Sequence, residues 1–269
     1  MTALVLLHPL GMSARVWDEV VPLLAVSHDV IPLDLLGHRG GRAPARRPIT
    51  IDDLVDDVER QLDERGLTRV HIAGNSLGGW VAIELARRGR ALTAVAFSPA
   101  GSWTAGTAEQ THGARKIRRA MRLARLGRPL PMRRLFRLRL LRRLTLRDVA
   151  VHGDRLSADQ VFRVTEDLLS CVVLEDILTT GEELAPLAEL PCPLTLAWSG
   201  ADALLPIDVS GAVARGRLPQ AEFVVLDGVG HVPMIDDPER VARAILRSAA
   251  AASSTPPNYG SSAHSGKEP

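Results

Sequence analysis

The chain has 269 residues, 46 % hydrophobic and only 3 % aromatic, with a formal net charge of +2. Such a length buries a sizeable core near the upper edge of one domain, and the small net charge singles out no partner. No apolar run reaches twenty residues, so no membrane span is expected, and two cysteines, Cys171 and Cys192, make neither a disulfide framework nor a close-spaced metal set.

The apolar run Ala3 to Leu7 stops at His8 and Pro9, which reads as a strand rather than a signal peptide, so a cytoplasmic protein is expected. Residues 14–25 fit a helix and 29–33 a weak second strand. A glycine-rich loop follows at 37–44. Thr50 can cap a helix over 51–65, with Asp52 and Asp53 in its first turn and Gly66 at its end. Residues 69–73, 77–88 and 93–97 read as strand, helix and strand. Short apolar strands separated by helices predict a largely parallel sheet covered on both faces.

The alternation breaks over 101–185, which has helical periodicity and no good strand. From Arg115 to Arg147 there are fourteen basic residues and no acid. Met121, Leu123, Leu126, Leu130, Leu135, Leu138, Leu141 and Leu144 are interleaved with them. Amphipathic helices interrupted at Pro129 and Pro131 are expected, then helices over 158–170 and 172–179. Strand and helix then return at 193–198, 208–217, 221–226 and 238–250. Beyond Ala252 the composition turns to Ser, Pro, Gly, His and Asn, as in a disordered tail.

The strongest motif is Gly74-Asn75-Ser76-Leu77-Gly78-Gly79, set between an apolar strand and a helix. In that context G-x-S-x-G is a nucleophile elbow: the sharp turn strains the serine backbone, and flanking glycines leave room for it. A serine hydroxyl needs a base. His231, in Gly228-Val229-Gly230-His231 just after the last strand, leaves the same sheet edge as Ser76 and is the candidate. Asp202, after the strand ending near Trp198, is the candidate partner of that base, with Asp227 as its rival. Two backbone N–H groups must hold an oxyanion. Leu77 follows the nucleophile and supplies one. Leu10 is the candidate for the other, because Pro9 has no N–H.

These segments, with Asp34-Leu35-Leu36-Gly37-His38, resemble the α/β-hydrolase superfamily in its serine-nucleophile branch with an inserted helical cap, over about residues 3–250. The resemblance implies a mostly parallel central sheet of about six strands with helices on both faces and a helical cap. Residues 1–100 and 186–250 would form the core, 101–185 the cap and 251–269 a disordered tail. Pro9 stands where the family usually has glycine. Epoxide hydrolases and haloalkane dehalogenases of this fold use an aspartate nucleophile, whereas this chain has Ser76.

The expected chemistry is acyl transfer from a carboxylic ester, thioester or lactone to water through an acyl-enzyme, with no metal or organic cofactor. C–C hydrolysis of a vinylogous diketone and a non-catalytic binding protein on the same fold are the alternatives. The partners expected are a small acyl substrate and water, without nucleic acid, in a monomer or homodimer. Met121, Leu126, Met132, Leu135 and Phe136 are the candidate apolar wall of the cap. The arginines favour an anionic acyl group.

Overall fold

The computed structural model describes residues 1–252. Its six strands are β1 (Thr2–Leu7), β2 (His28–Leu33), β3 (Val70–Asn75), β4 (Ala91–Phe97), β5 (Leu194–Ser199) and β6 (Glu222–Leu226). They form one sheet in the order β2-β1-β3-β4-β5-β6, with each neighbouring pair parallel. The mostly parallel sheet of the sequence reading is therefore present, with helices on both faces. Pro32 lies in β2, at an edge of the sheet, where a missing ladder donor is tolerated.

Side-chain alternation divides the core into two layers. Val5 and Leu7 of β1 face one cluster, with Leu54, Val58, Trp80 and Ile83. Leu4 and Leu6 face the other, with Trp17, Leu24, Val241 and Ile245. The first layer is covered by α2 (Ile51–Asp63) and α3 (Leu77–Arg87), the second by α1 (Val21–Leu24) and, near the C-terminus, α11 (Pro238–Ala252). The Thr50 side chain accepts from Asp53 N–H and the Asp53 carboxylate accepts from Thr50 N–H, a reciprocal cap on α2.

β1 and β3 are neighbours although β2 comes between them in the chain. The segments that leave them pack on opposite faces, which opens a crevice beyond their C-terminal ends. That crevice positions the site described below.

Between β4 and β5 lies the helical cap: α4 (Ala108–Gly127), α5 (Met132–Leu135), α6 (Arg139–Leu146), α7 (Ala158–Ser170) and α8 (Leu174–Leu178). The break after α4 falls at Pro129 and Pro131. After β5 come α9 (Ala212–Arg217) and, beyond β6, α10 (Pro233–Asp236). Among the described residues no helix is long and apolar enough to cross a membrane.

Several boundaries differ from the sequence reading, among them those of three helices. The helix expected over 14–25 is a 3₁₀ turn at Ala14–Trp17 followed by the short α1. Pro22 lies in the first turn of α1 and has no N–H to continue a helix from Asp18. The helix expected over 208–217 begins as a wide turn at Ile207–Gly211 and becomes α-helical only from Ala212. α11 runs on to Ala252, so the expected tail loses its first two residues to the helix; from 253 onward it lies outside the described residues.

Candidate active site

Ser76 sits at the tip of the turn from β3 to α3, with φ 54° and ψ −113°. A non-glycine residue in that region stores about 1–3 kcal/mol of strain and persists only when its surroundings hold it. Here three backbone bonds do so. Ser76 N–H donates to the Phe97 carbonyl at 2.8 Å, while the Ser76 carbonyl accepts from Trp80 N–H at 3.0 Å and Ala100 N–H at 2.9 Å. The flanking glycines are sterically obligatory. A Cβ on Gly74 would stand 2.1 Å from the Gly78 carbonyl oxygen, and one on Gly78 would stand 2.3 Å from that of Leu7. The second contact presses the start of α3 onto the end of β1.

His231 is buried after β6, and its Nδ1 lies 2.7 Å from Asp202 Oδ2. An ionised carboxylate only accepts, so Nδ1 carries the proton and Nε2 is left with a lone pair. The other oxygen of Asp202 accepts from Leu204 N–H at 2.9 Å and Leu205 N–H at 2.8 Å. Asp202 is therefore fixed at both oxygens. Asp227, its rival in the sequence, is exposed, and its carbonyl accepts from Arg240.

Ser76 and His231 line one cavity, together with Leu10 and Leu77. Among the described residues no hydrogen bond joins Ser76 to His231. Such bonds are often long before substrate binds and tighten in the reacting complex. The Leu10 and Leu77 amides likewise donate to no described group, so two N–H groups at the crevice remain available. The loop that carries Leu10 is held by His8. Nδ1 of His8 donates to the Pro9 carbonyl at 2.9 Å, and Nε2 accepts from Leu35 N–H at 3.0 Å. Burial pushes the pKa of His8 down to about 4, which suits a neutral ring in this role.

Two positioning side chains escaped the sequence reading. Asn75 Nδ2 donates to the Phe97 carbonyl at 3.0 Å and to the His231 carbonyl at 2.9 Å, tying the elbow to the His231 loop. Asp236 is buried and accepts from Gly230 N–H at 2.7 Å, Val151 N–H at 3.0 Å and His152 N–H at 2.6 Å. It joins the loop that carries His231 to the cap. The signal available for both was a polar residue inside or beside a motif, with nothing to name its partner.

The cap wall stands elsewhere than the leucine and methionine pattern implies. Gln110, Gly113, Ala114 and Ile117 of α4 line the cavity, with Ile177 and Leu178. Of the five candidates, none lines it. Met121 is buried one turn further along the same stripe of α4, and Phe136 is fully buried in the second core cluster. Met132 packs at the margin of that cluster, Leu135 is half-buried and Leu126 is 74 % exposed. The physical reason is that large apolar residues at helical spacing fill core, whereas a cavity needs small ones. No arginine lines the cavity either, which removes the basis for an anionic acyl group. Arg118, Arg119, Arg133 and Arg139 instead pair at the surface with Glu175, Asp148, Asp159 and Asp154.

Both cysteines are free and buried, and burial pushes each thiol up to about 11, away from the nucleophilic thiolate.

Residues 4–244 match the model of the Alpha/beta hydrolase family. An epoxide hydrolase of Mycobacterium tuberculosis is 35 % identical over 196 residues, 71 % of this chain and 91 % of the relative. A pimeloyl-[acyl-carrier protein] methyl ester esterase of Pectobacterium atrosepticum is 28 % identical over 266 residues, 91 % and 93 % of the two chains. Among solved structures, an enol-lactonase from Burkholderia xenovorans superposes with a TM-score of 0.71 at 19 % identity, covering 93 % of this chain and 91 % of its own.

Proposed function

The chain belongs to the alpha/beta hydrolase family, and from that premise we propose that it is a serine hydrolase cleaving an ester, thioester or lactone of a small organic substrate. Ser76 is the nucleophile, His231 the base, Asp202 the residue that orients it, and the Leu10 and Leu77 amides the oxyanion donors. The observation that carries this reading is the buried His231–Asp202 bond opening onto the same cavity as the strained Ser76.

The steps follow from these atoms. His231 Nε2 takes the proton as Ser76 Oγ attacks the carbonyl carbon. The two amides hold the oxyanion. The C–O or C–S bond to the leaving group breaks, and that group takes the proton from His231. Water then attacks the acyl-enzyme with the same base, releasing the acid and restoring Ser76. Asp202 stays ionised and holds the ring. Residues 101–185 are proposed as the cap that covers this chemistry, and the bond from Leu184 N–H to the Gly101 carbonyl, 2.9 Å, draws the two ends of that segment together.

The epoxide hydrolase relative raises a second reading. Chemistry argues against it here. Opening an epoxide with Ser76 would leave an ether on the enzyme, which water does not release, whereas a carboxylate nucleophile gives a hydrolysable ester. C–C hydrolysis of a vinylogous diketone uses the same residues and remains the alternative for serine chemistry.

The experiment is rapid-mixing kinetics with p-nitrophenyl esters, joined by a vinylogous diketone and styrene oxide. The reading predicts a burst of p-nitrophenol matching the enzyme concentration, with the acyl mass on the peptide holding Ser76. Turnover of styrene oxide alone contradicts it, and inactivity on every substrate favours the binding-protein reading.

A further inference from the structure

The cavity beside Ser76 has a chemical character that the family does not dictate. Part of its cap side is one stripe of α4: residues 110, 113, 114 and 117 follow the i, i+3, i+4, i+7 spacing of a single helix face. Two of those four are glycine and alanine, so the space exists because side chains there are small. Trp103, Ile117, Ile177 and Leu178 are the large side chains that close it from the cap. Leu204 and Leu205 close it from the core, on the loop that Asp202 holds.

The cavity volume is about 50 Å³. That accommodates roughly three to five water-sized groups at ~10–15 Å³ each. That space suits an acyl tail of a few carbons.

The polar groups of the wall are already engaged. Gln110 Oε1 accepts from Gly106 N–H at 2.9 Å, and its Nε2 donates to the Thr180 carbonyl at 2.6 Å. Trp103 Nε1 donates to the Glu182 carbonyl at 3.2 Å. Lys116 adjoins Ile117 in the chain, but its ammonium donates to the Ala203 carbonyl at 2.6 Å, and His112 contacts the same oxygen at 3.1 Å. A carboxylate on the acyl group would lose its water here and meet no cation in return.

We propose that this site accepts short, uncharged acyl groups, in the acetyl to butyryl range, with Ile117 and Leu178 setting the length limit. The arginines of the cap take no part in acyl recognition. This rests on the serine-hydrolase reading of Ser76. The reaction is the one written above: the Ser76 Oγ–acyl bond forms as the substrate ester bond breaks, and water reverses the acylation.

The test is a chain-length series of p-nitrophenyl esters from acetate to dodecanoate, with the butyrate compared to the monosuccinate, whose acyl chain of equal length ends in a carboxylate. Fluorophosphonate labelling of Ser76 is read in parallel. Wild type is expected to lose at least tenfold in kcat/KM from butyrate to octanoate, and at least tenfold from butyrate to monosuccinate. Ile117→Ala and Leu178→Ala should each move the optimum to longer chains, either one sufficing if the other fails to fold. Arg122→Gln with Arg125→Gln should leave the butyrate to monosuccinate ratio unchanged. Labelled enzyme with an optimum at octanoate or longer, or with monosuccinate equal to butyrate, overturns the proposal and leaves the hydrolase reading standing. No labelling and no turnover overturns both.

Discussion

His231 Nδ1 stands 2.7 Å from Asp202 Oδ2 in a buried pair, and the second oxygen of Asp202 is held by the Leu204 and Leu205 amides. The pair fixes which ring nitrogen faces the cavity. Asp202→Asn keeps the shape but can present its amide to Nδ1, which favours the wrong tautomer. We expect kcat to fall by about 10³ to 10⁴ with the fold intact. Asp227→Asn, at an exposed position, should stay within a few-fold of wild type. Steady-state kinetics on both variants checks this, and the reverse ranking contradicts the assignment.

Asp236 holds three backbone N–H groups, one beside His231 and two in the cap. Asp236→Ala leaves the Gly230 donor of a buried bond and the Val151 and His152 donors of part-buried bonds without their partner. Each unmet buried donor costs about 1–3 kcal/mol, not additively. A stability loss of about 2–4 kcal/mol in urea denaturation is expected. The loss of kcat should exceed any change in KM, because the His231 loop loses its anchor. Asp236→Asn keeps one acceptor oxygen and should recover part of both.

Much of this site is legible in the sequence, and the physical reason is local. The elbow at Ser76 requires glycine at Gly74 and Gly78, because backbone oxygens fill the space of a side chain there. The proposal of Leu10 as an amide donor follows from the missing N–H of Pro9, and Leu10 does line the cavity. His231 and Asp202 follow strands, whose C-terminal ends share an edge in a parallel sheet. The cap wall is not legible in this way. Gly113 and Ala114 create the cavity by being small, and periodicity of large residues points instead to Met121 and Phe136, which pack in the core. Asn75 and Asp236 act through backbone groups of distant segments, and no sequence spacing encodes those partners.

His8 gives a pH dependence of stability. Its folded pKa is about 4, lowered from 6.5 by burial. The His38 ring lies 4.9 Å away, and Asp34 Oδ1 lies 3.9 Å from Nε2. Above pH 6.5 the ring is neutral in folded and unfolded chains, and no slope arises. As pH falls from 6.5 toward 4, the unfolded chain binds a proton that the folded one refuses, so stability falls. The slope approaches about 1.4 kcal/mol per pH unit for this group. His38, lowered to about 3 chiefly by burial and then by His8, adds in the same direction. Urea denaturation at pH 7 and pH 5 should give a smaller stability difference for His8→Gln than for wild type. An equal difference would show that His8 is not the titrating group.

The central claim is that Ser76 forms the covalent bond. Intact-mass spectrometry after treatment with an active-site fluorophosphonate tests it most directly. The account predicts one adduct per chain on wild type, mapped to the peptide that holds Ser76, with loss of esterase activity in step with labelling. It predicts no adduct and no activity on a folded Ser76→Ala variant. An adduct on that variant, or full activity without Ser76, would contradict it.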